Sequence, residues 1–224
     1  MNKNKEVKRE FLCSGLQVRE AEEGQESRTI TGYAILFNTP SAPFYESKDE
    51  VVRETIAPEA ITKELLDTCD IKMTMFHDRQ LILARSNKGK GTLTYHVDEK
   101  GVSFEFDAPH TADGDKALEL VKRGDLSGCS FAFRTHYYDN AFVERSVEKV
   151  NGKSNIECRV KVVTGIYDFT LAADPAYPAT SVEAREIVDG FHEEEEPKPE
   201  LSERAKEQIE EMEKHSNIRF KKIV

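Results

Sequence analysis

No stretch of this 224-residue chain approaches the ~18 consecutive apolar residues of a membrane-crossing helix, and its opening MNKNKEVKRE lacks the apolar core of a secretion signal. A surplus of positive charge is missing too. Charged residues make up 33% and the formal net charge is -10, with a pI near 5.2. Phosphate backbones call for a basic surface, so this balance argues against a nucleic-acid partner. The four cysteines, Cys13, Cys69, Cys129 and Cys158, include no CxxC pair. Metal-site spacing is therefore absent, and without a secretion signal a disulfide framework is not expected. No internal repeat is visible. These absences lead to an expectation of a soluble, intracellular protein with free thiols, no cofactor, and neither nucleic acid nor membrane among its partners.

What is present reads mostly as short strands. Residues 1–10 are polar and expected to be flexible, and a weak alternation from Phe11 to Arg19 suggests a first strand. RTITGYAILF (28–37) is a stronger one, rich in β-branched and aromatic residues. Pro58 is expected to open a helix through APEAITKELLD, since proline suits a first helical turn. In IKMTMFHDRQ, Ile71, Met73, Met75 and His77 fall on one strand face, with the histidine at the strand's end. Segments 92–97 and 102–107 flank a turn and read as a hairpin, as do 142–150 and 155–163 around Asn151-Gly152. Residues 113–123 form an amphipathic helix with Ala117, Leu120 and Val121 as its buried stripe, Thr111 or Asp113 as cap and Gly124 as stop. The strand GIYDFTLAA (165–173) ends at Pro175, and Thr180 with Glu183 suggests a capped turn of helix.

Beyond Gly190 the composition changes to four glutamates, PKPE and the charged helix-former LSERAKEQIEEMEKH, an acidic linker and solvated tail. The organisation expected is a flexible 1–10, one domain over 11–189 and a tail over 190–224. Seven to nine short strands with two or three helices suggest a mainly β fold, a β-barrel with peripheral α-helices.

Chemistry centres on LSGCSFAFR (126–134). Alternation sends Cys129, Phe131 and Phe133 one way and Ser130, Ala132 and Arg134 the other. Ser130 could be an activated nucleophile if a base lies in reach; an ordinary strand serine is the alternative. Among six histidines, His77 ends an apolar strand beside Asp78-Arg79, where a side chain meets a cleft. His110 lies in the loop before the 113–123 helix and stays open as a candidate. His96 and His136 read as surface or structural, and His192 and His215 belong to the tail. An acid must hold the imidazole's tautomer. Asp168 is a carboxylate inside a predicted strand, and such an acid needs a partner; Asp174, before Pro175, competes but suits a turn. Cys129 would be the alternative nucleophile, yet alternation puts it among the phenylalanines as a small buried residue.

The blocks MTMFHDRQLILARS, DGDKALELVKRGDLSGCSFAFR and YDFTLAADPAYPATS, in that order within residues 28–185, resemble the prohead maturation proteases of tailed bacteriophages. That family carries a histidine followed by aspartate, a helix running into Arg-Gly-Asp-Leu-Ser-Gly and a Ser-Phe-Gly-Phe strand, then an acidic strand closing in Pro-Ala-Tyr-Pro. Ala84 and Ala132 stand here where glycine is usual. The resemblance implies a serine endopeptidase with the fold of the herpesvirus assembly proteases, a closed β-barrel ringed by helices. It implies His77 as general base, Ser130 as nucleophile and Asp168 as the acid, with His110 open because herpesvirus relatives use a second histidine. Arg85 and Arg134 become candidate oxyanion contributors. The implied substrates and partners are the major capsid protein with its scaffolding segment, or a separate scaffold protein, and the protease itself, including self-association, inside the procapsid assembling in the host cytoplasm. The competing readings are a non-catalytic assembly protein built on the same barrel and a small-molecule esterase.

Overall fold

The computed structural model describes residues 5–11, 15–20 and 26–173, the first stretch by its backbone alone. Asp174, the turn at Thr180 and Glu183 and the tail from residue 190 lie outside the described residues. Within them the chain forms fourteen strands and two α-helices, more strands than alternation alone separates.

The six-stranded sheet carries the chemistry. Across it run β1 (Lys5–Phe11), β11 (Gly128–Thr135), β14 (Gly165–Ala172), β6 (Asp70–Met75), β7 (Asp78–Asn87) and the two-residue β8 (Lys90–Gly91). A second sheet is ordered β2 (Gln17–Val18), β3 (Thr29–Leu36), β10 (Gly101–Asp107), β9 (Leu93–Val97). The third is β12 (Val143–Val150), β13 (Lys153–Val160), β5 (Glu50–Ile56), β4 (Tyr45–Glu46). Both expected hairpins form, and Asn151 and Gly152 take φ of 51° and 81°, the positive pair that a tight hairpin turn demands.

The core is built from the rows that alternation turns inward. Phe131 and Phe133 on β11 stack with ring centroids 5.2 Å apart, and with Phe106 and Phe169 they are among the largest fully buried side chains. Helix α1 is Lys63–Leu66, and α2 is Ala112–Arg123. Thr111 caps α2 by accepting from the Gly114 amide at 3.2 Å, and left-handed Gly124 ends it. Its buried face is Gly114, Ala117, Leu118 and Val121. Leu118 thus takes the place expected of Leu120, whose carbonyl instead accepts from Gly124 and Asp125 after the helix end.

Several expectations need correction. The sheets are open: no ladder among the described residues joins β1 or β8 to another sheet, so the closed barrel is not found. With two residues, β8 has little backbone to pair onward. Residues 5–11, expected to belong to a polar terminus as far as residue 10, form β1, which pairs antiparallel with β11 at seven consecutive positions, from Lys5↔Thr135 to Phe11↔Cys129. The expected Phe11–Arg19 strand gives way to the end of β1 and the short β2. The expected Pro58 helix breaks in two: Pro58–Ala60 is a 3-10 turn, Ile61 is extended and 1% exposed, and the Thr62 hydroxyl caps α1. Burying Ile61 outweighs continuing a short helix.

Candidate active site

Ser130 lies in β11, Asp168 in β14, and His77 just past β6, so the three come from neighbouring strands of one sheet. Register explains the convergence. Ser130 pairs with Thr170 and Ala132 with Asp168 across β11 and β14. Thr170 and Asp168 in turn pair with Thr74 and Lys72 of the parallel strand β6. Cross-strand partners share a face, so Ser130, Asp168, Thr170 and Thr74 gather on one side.

A bulge borders that arrangement. Between Ala132 and Phe133 the register shifts, Phe133 pairing with Ile166 and leaving Tyr167 as the extra residue. Strict alternation would put Ile166 on the face of Asp168. The bulge instead aligns Ile166 with the phenylalanine row.

His77 does not continue the β6 alternation as expected. The strand stops at Met75, and Phe76 and His77 take φ of 56° and 55°. With Met75 paired to Asp78, these are the two central residues of a hairpin turn with the φ signs of a type I′ turn. Each left-handed non-glycine residue costs about 1–2 kcal/mol. That strain is offset by bonds to β14: the Phe76 amide donates to the Leu171 carbonyl at 3.1 Å, and the His77 amide donates to Thr170 Oγ1 at 2.9 Å. The turn swings the imidazole back over the sheet.

There Nε2 lies 2.7 Å from Ser130 Oγ, and Nδ1 lies 2.9 Å from Asp168 Oδ1. An ionised carboxylate only accepts, so Nδ1 carries the proton and donates to Asp168. Nε2 is then left to accept from the Ser130 hydroxyl. The Asp168 and His77 side chains are 3% and 13% exposed, and Ser130 has no exposed surface. The chain of hydrogen bonds is dry, where electrostatic coupling is strongest. It can do nucleophilic acyl transfer.

The other candidates stand elsewhere. His110 is exposed in the loop before α2, and the place it would have taken on His77 is held by Asp168. Asp78 accepts from the Gln80 amide at 2.8 Å and shapes the turn. Cys129 is fully buried in the phenylalanine row, with its thiol 3.6 Å from the Ser130 carbonyl. Arg85 is bound twice by Asp70, Nε at 2.6 Å and a terminal nitrogen at 2.8 Å. This pairing, with Lys72 second, holds the Asp70 carboxyl at about 2. Lys72 sits beside Asp168 in register but donates to Asp70 at 2.9 Å, leaving Asp168 to the histidine. Arg134 is four residues along β11 from Ser130, about 13 Å at strand rise, with its guanidinium over the Tyr167 ring. Both arginines therefore have other work than an oxyanion hole. Sequence reading passes over Thr74 and Thr170, both fully buried, although hydroxyls inside largely apolar strands are a signal. A cleft of about 520 Å³ on the second sheet, lined by Arg19, Tyr33, His96 and Glu105 among others, touches none of the three residues. Among the described residues no cluster of His, Cys, Asp or Glu could hold a metal, and no helix is long and apolar enough to cross a membrane.

The family model of the caudovirus prohead serine proteases matches residues 14–193, most of the chain. Among solved structures, the bacteriophage T4 capsid assembly protease matches over 74% of this chain and 99% of its own, at 11% sequence identity and a TM-score of 0.39. No curated protein matches.

Proposed function

Because the chain belongs to the caudovirus prohead serine proteases, we propose that it is an endopeptidase in which Ser130 is the nucleophile, His77 the general base and Asp168 the acid. The observation that carries this reading is the hydrogen-bonded chain Ser130–His77–Asp168, which lies wholly within the matched residues. Ser130 Oγ attacks the peptide carbonyl carbon as its proton passes to His77 Nε2. The imidazolium formed is stabilised by Asp168 through Nδ1–H, and its Nε2 proton then goes to the leaving amine. Water, deprotonated by the same nitrogen, hydrolyses the acyl-enzyme and returns Ser130 to its hydroxyl form.

The substrates of this reading are capsid-assembly proteins, a scaffolding segment of the major capsid protein or a separate scaffold, and the chain itself. The place of action is the assembling procapsid in the host cytoplasm. Ser130 has no exposed surface, so a substrate carbonyl reaches Oγ only after its cover moves. Kinship with the herpesvirus assembly proteases rests on the sequence resemblance alone.

The test is intact-mass analysis of the purified full chain beside Ser130→Ala and His77→Ala, alone and with a co-expressed capsid protein of the same phage. Fragments from the unaltered chain that vanish in both variants are expected. Identical cleavage in all three would overturn the proposal and leave the non-catalytic assembly role.

A further inference from the structure

The hydroxyl of Thr170 lies at the junction of everything that places the imidazole. In register Thr170 stands level with Ser130 on one neighbouring strand and with Thr74 on the other. Its side-chain oxygen takes the His77 backbone amide at 2.9 Å and lies 2.8 Å from Thr74 Oγ1. Thr170 and Thr74 are both fully buried, so neither hydroxyl has water to turn to. A buried hydroxyl stripped of its partners is costly, which makes the pair a fixed fitting rather than a decoration.

The segment it holds needs holding. Phe76 and His77 are consecutive non-glycine residues at φ of 56° and 55°, a conformation that persists only where the surroundings over-determine it. Two consecutive amides of the turn are tied to β14, that of Phe76 to the backbone carbonyl of Leu171 and that of His77 to the side chain of Thr170. The Phe76 tie is backbone to backbone and survives any side-chain change. The Thr170 tie depends on one hydroxyl, and it is made to the same residue whose ring spans Ser130 and Asp168.

We propose, resting on the catalytic reading above, that Thr170 is a positioning residue: supported by Thr74, its hydroxyl holds the left-handed turn so that the His77 imidazole bridges Ser130 and Asp168. Thr170 bonds the His77 backbone amide and Thr74 Oγ1 rather than the imidazole ring. Its contribution is angular. Removing the hydroxyl lets the turn relax towards ordinary φ, and the ring tips away from Oγ while the strand remains.

The experiment uses the full chain and a fluorophosphonate that labels an activated serine, read as maximal labelling rate and as half-saturating probe concentration. Thr170→Val keeps shape and loses the acceptor. It should lower the maximal rate by about 10-fold or more, as a small misplacement of a catalytic group does, and leave half-saturation unchanged. Thr170→Ser restores the acceptor and should recover to within about threefold of the unaltered rate. Thr170→Ala serves as a second hydroxyl-less variant, with folding of each followed by circular dichroism and melting. Labelling of a folded valine or alanine variant at the unaltered rate overturns the proposal. So does a serine variant as slow as valine. Failure of both hydroxyl-less variants to fold, with serine folding normally, would make the hydroxyl a folding element and overturn it as well. His77→Ala is the control for the underlying reading: if it labels normally, the catalytic assignment fails whatever Thr170 does.

Discussion

Asp168 Oδ1 and His77 Nδ1 stand 2.9 Å apart although 91 residues separate them in the chain. Replacing this carboxylate by an amide of the same shape reverses the polarity of the contact. An asparagine that donates to Nδ1 leaves the imidazole proton on Nε2, pointing at Ser130 and unable to accept. Asp168→Asn should therefore fold and lose about 10³- to 10⁴-fold in turnover. Asp174→Asn should stay within a few-fold of the unaltered chain. Proteolysis that survives the first change and fails in the second would exchange the two aspartates.

Cys129 and Ser130 are neighbours that face opposite sides of β11, one in the phenylalanine row and one at the histidine. Cys129→Ala removes one fully buried sulfur and should cost about 1 kcal/mol of stability while keeping activity. Ser130→Ala should abolish turnover at nearly unchanged stability. Denaturant melts beside a cleavage assay separate the two, and the opposite pattern would show the strand read the wrong way round.

Gly114 sits in the first turn of α2, where a Cβ would come 2.0 Å from the Pro109 carbonyl oxygen. Helix propensity alone favours alanine there by about 1 kcal/mol. The overlap is with backbone, which cannot swing aside, and crowding of this kind costs about 1–3 kcal/mol. The clash should win, and Gly114→Ala should lower the melting temperature. A rise would mean that the loop carrying Pro109 yields freely.

Asp70 gives a pH dependence with a definite sign. Arg85 first and Lys72 second hold its carboxyl at about 2, below the ordinary 3.8. The folded state thus binds this proton less readily than the unfolded one. The stabilisation is complete above about pH 4 and disappears as pH falls through about 2. The Asp70 side chain is 38% exposed, so solvent screening keeps the effect under about 1 kcal/mol. Urea unfolding of the unaltered chain and Asp70→Asn should differ at about pH 5 and converge near about pH 2. A constant difference would remove the ion pair from the account.

The legible parts of this fold are those where one local rule suffices. Thr111 and Gly124 bracket α2, Asn151-Gly152 sets the β12–β13 turn, and alternation separates Ser130 from Cys129. What stayed hidden depends on partners far away in the chain. The polar segment Lys5–Phe11 is a strand because β11 offers it a complete edge. β5 was obscured by Glu54, fully buried yet hydrogen-bonded to the Tyr137 hydroxyl, a charge that reads as surface until its partner is known. Alternation misplaces His77 on the β6 face, since two non-glycine residues at positive φ break period-two reading without any glycine or proline to announce it. The bulge at Tyr167 is equally silent, although it decides which β14 side chains accompany Asp168.

The position of β14 also decides when Ser130 and His77 can meet. It is among the last described strands in the chain, yet it lies in the middle of the six-stranded sheet, between β11 on one side and β6 on the other. Until it inserts, the sheet is two separate pieces, with Ser130 on one and His77 at the edge of the other. A growing chain on the ribosome can have made Ser130 and His77 and still lack the strand that brings them together. A chain ending at Thr164 should accordingly be inert towards the fluorophosphonate, with its serine and histidine both intact.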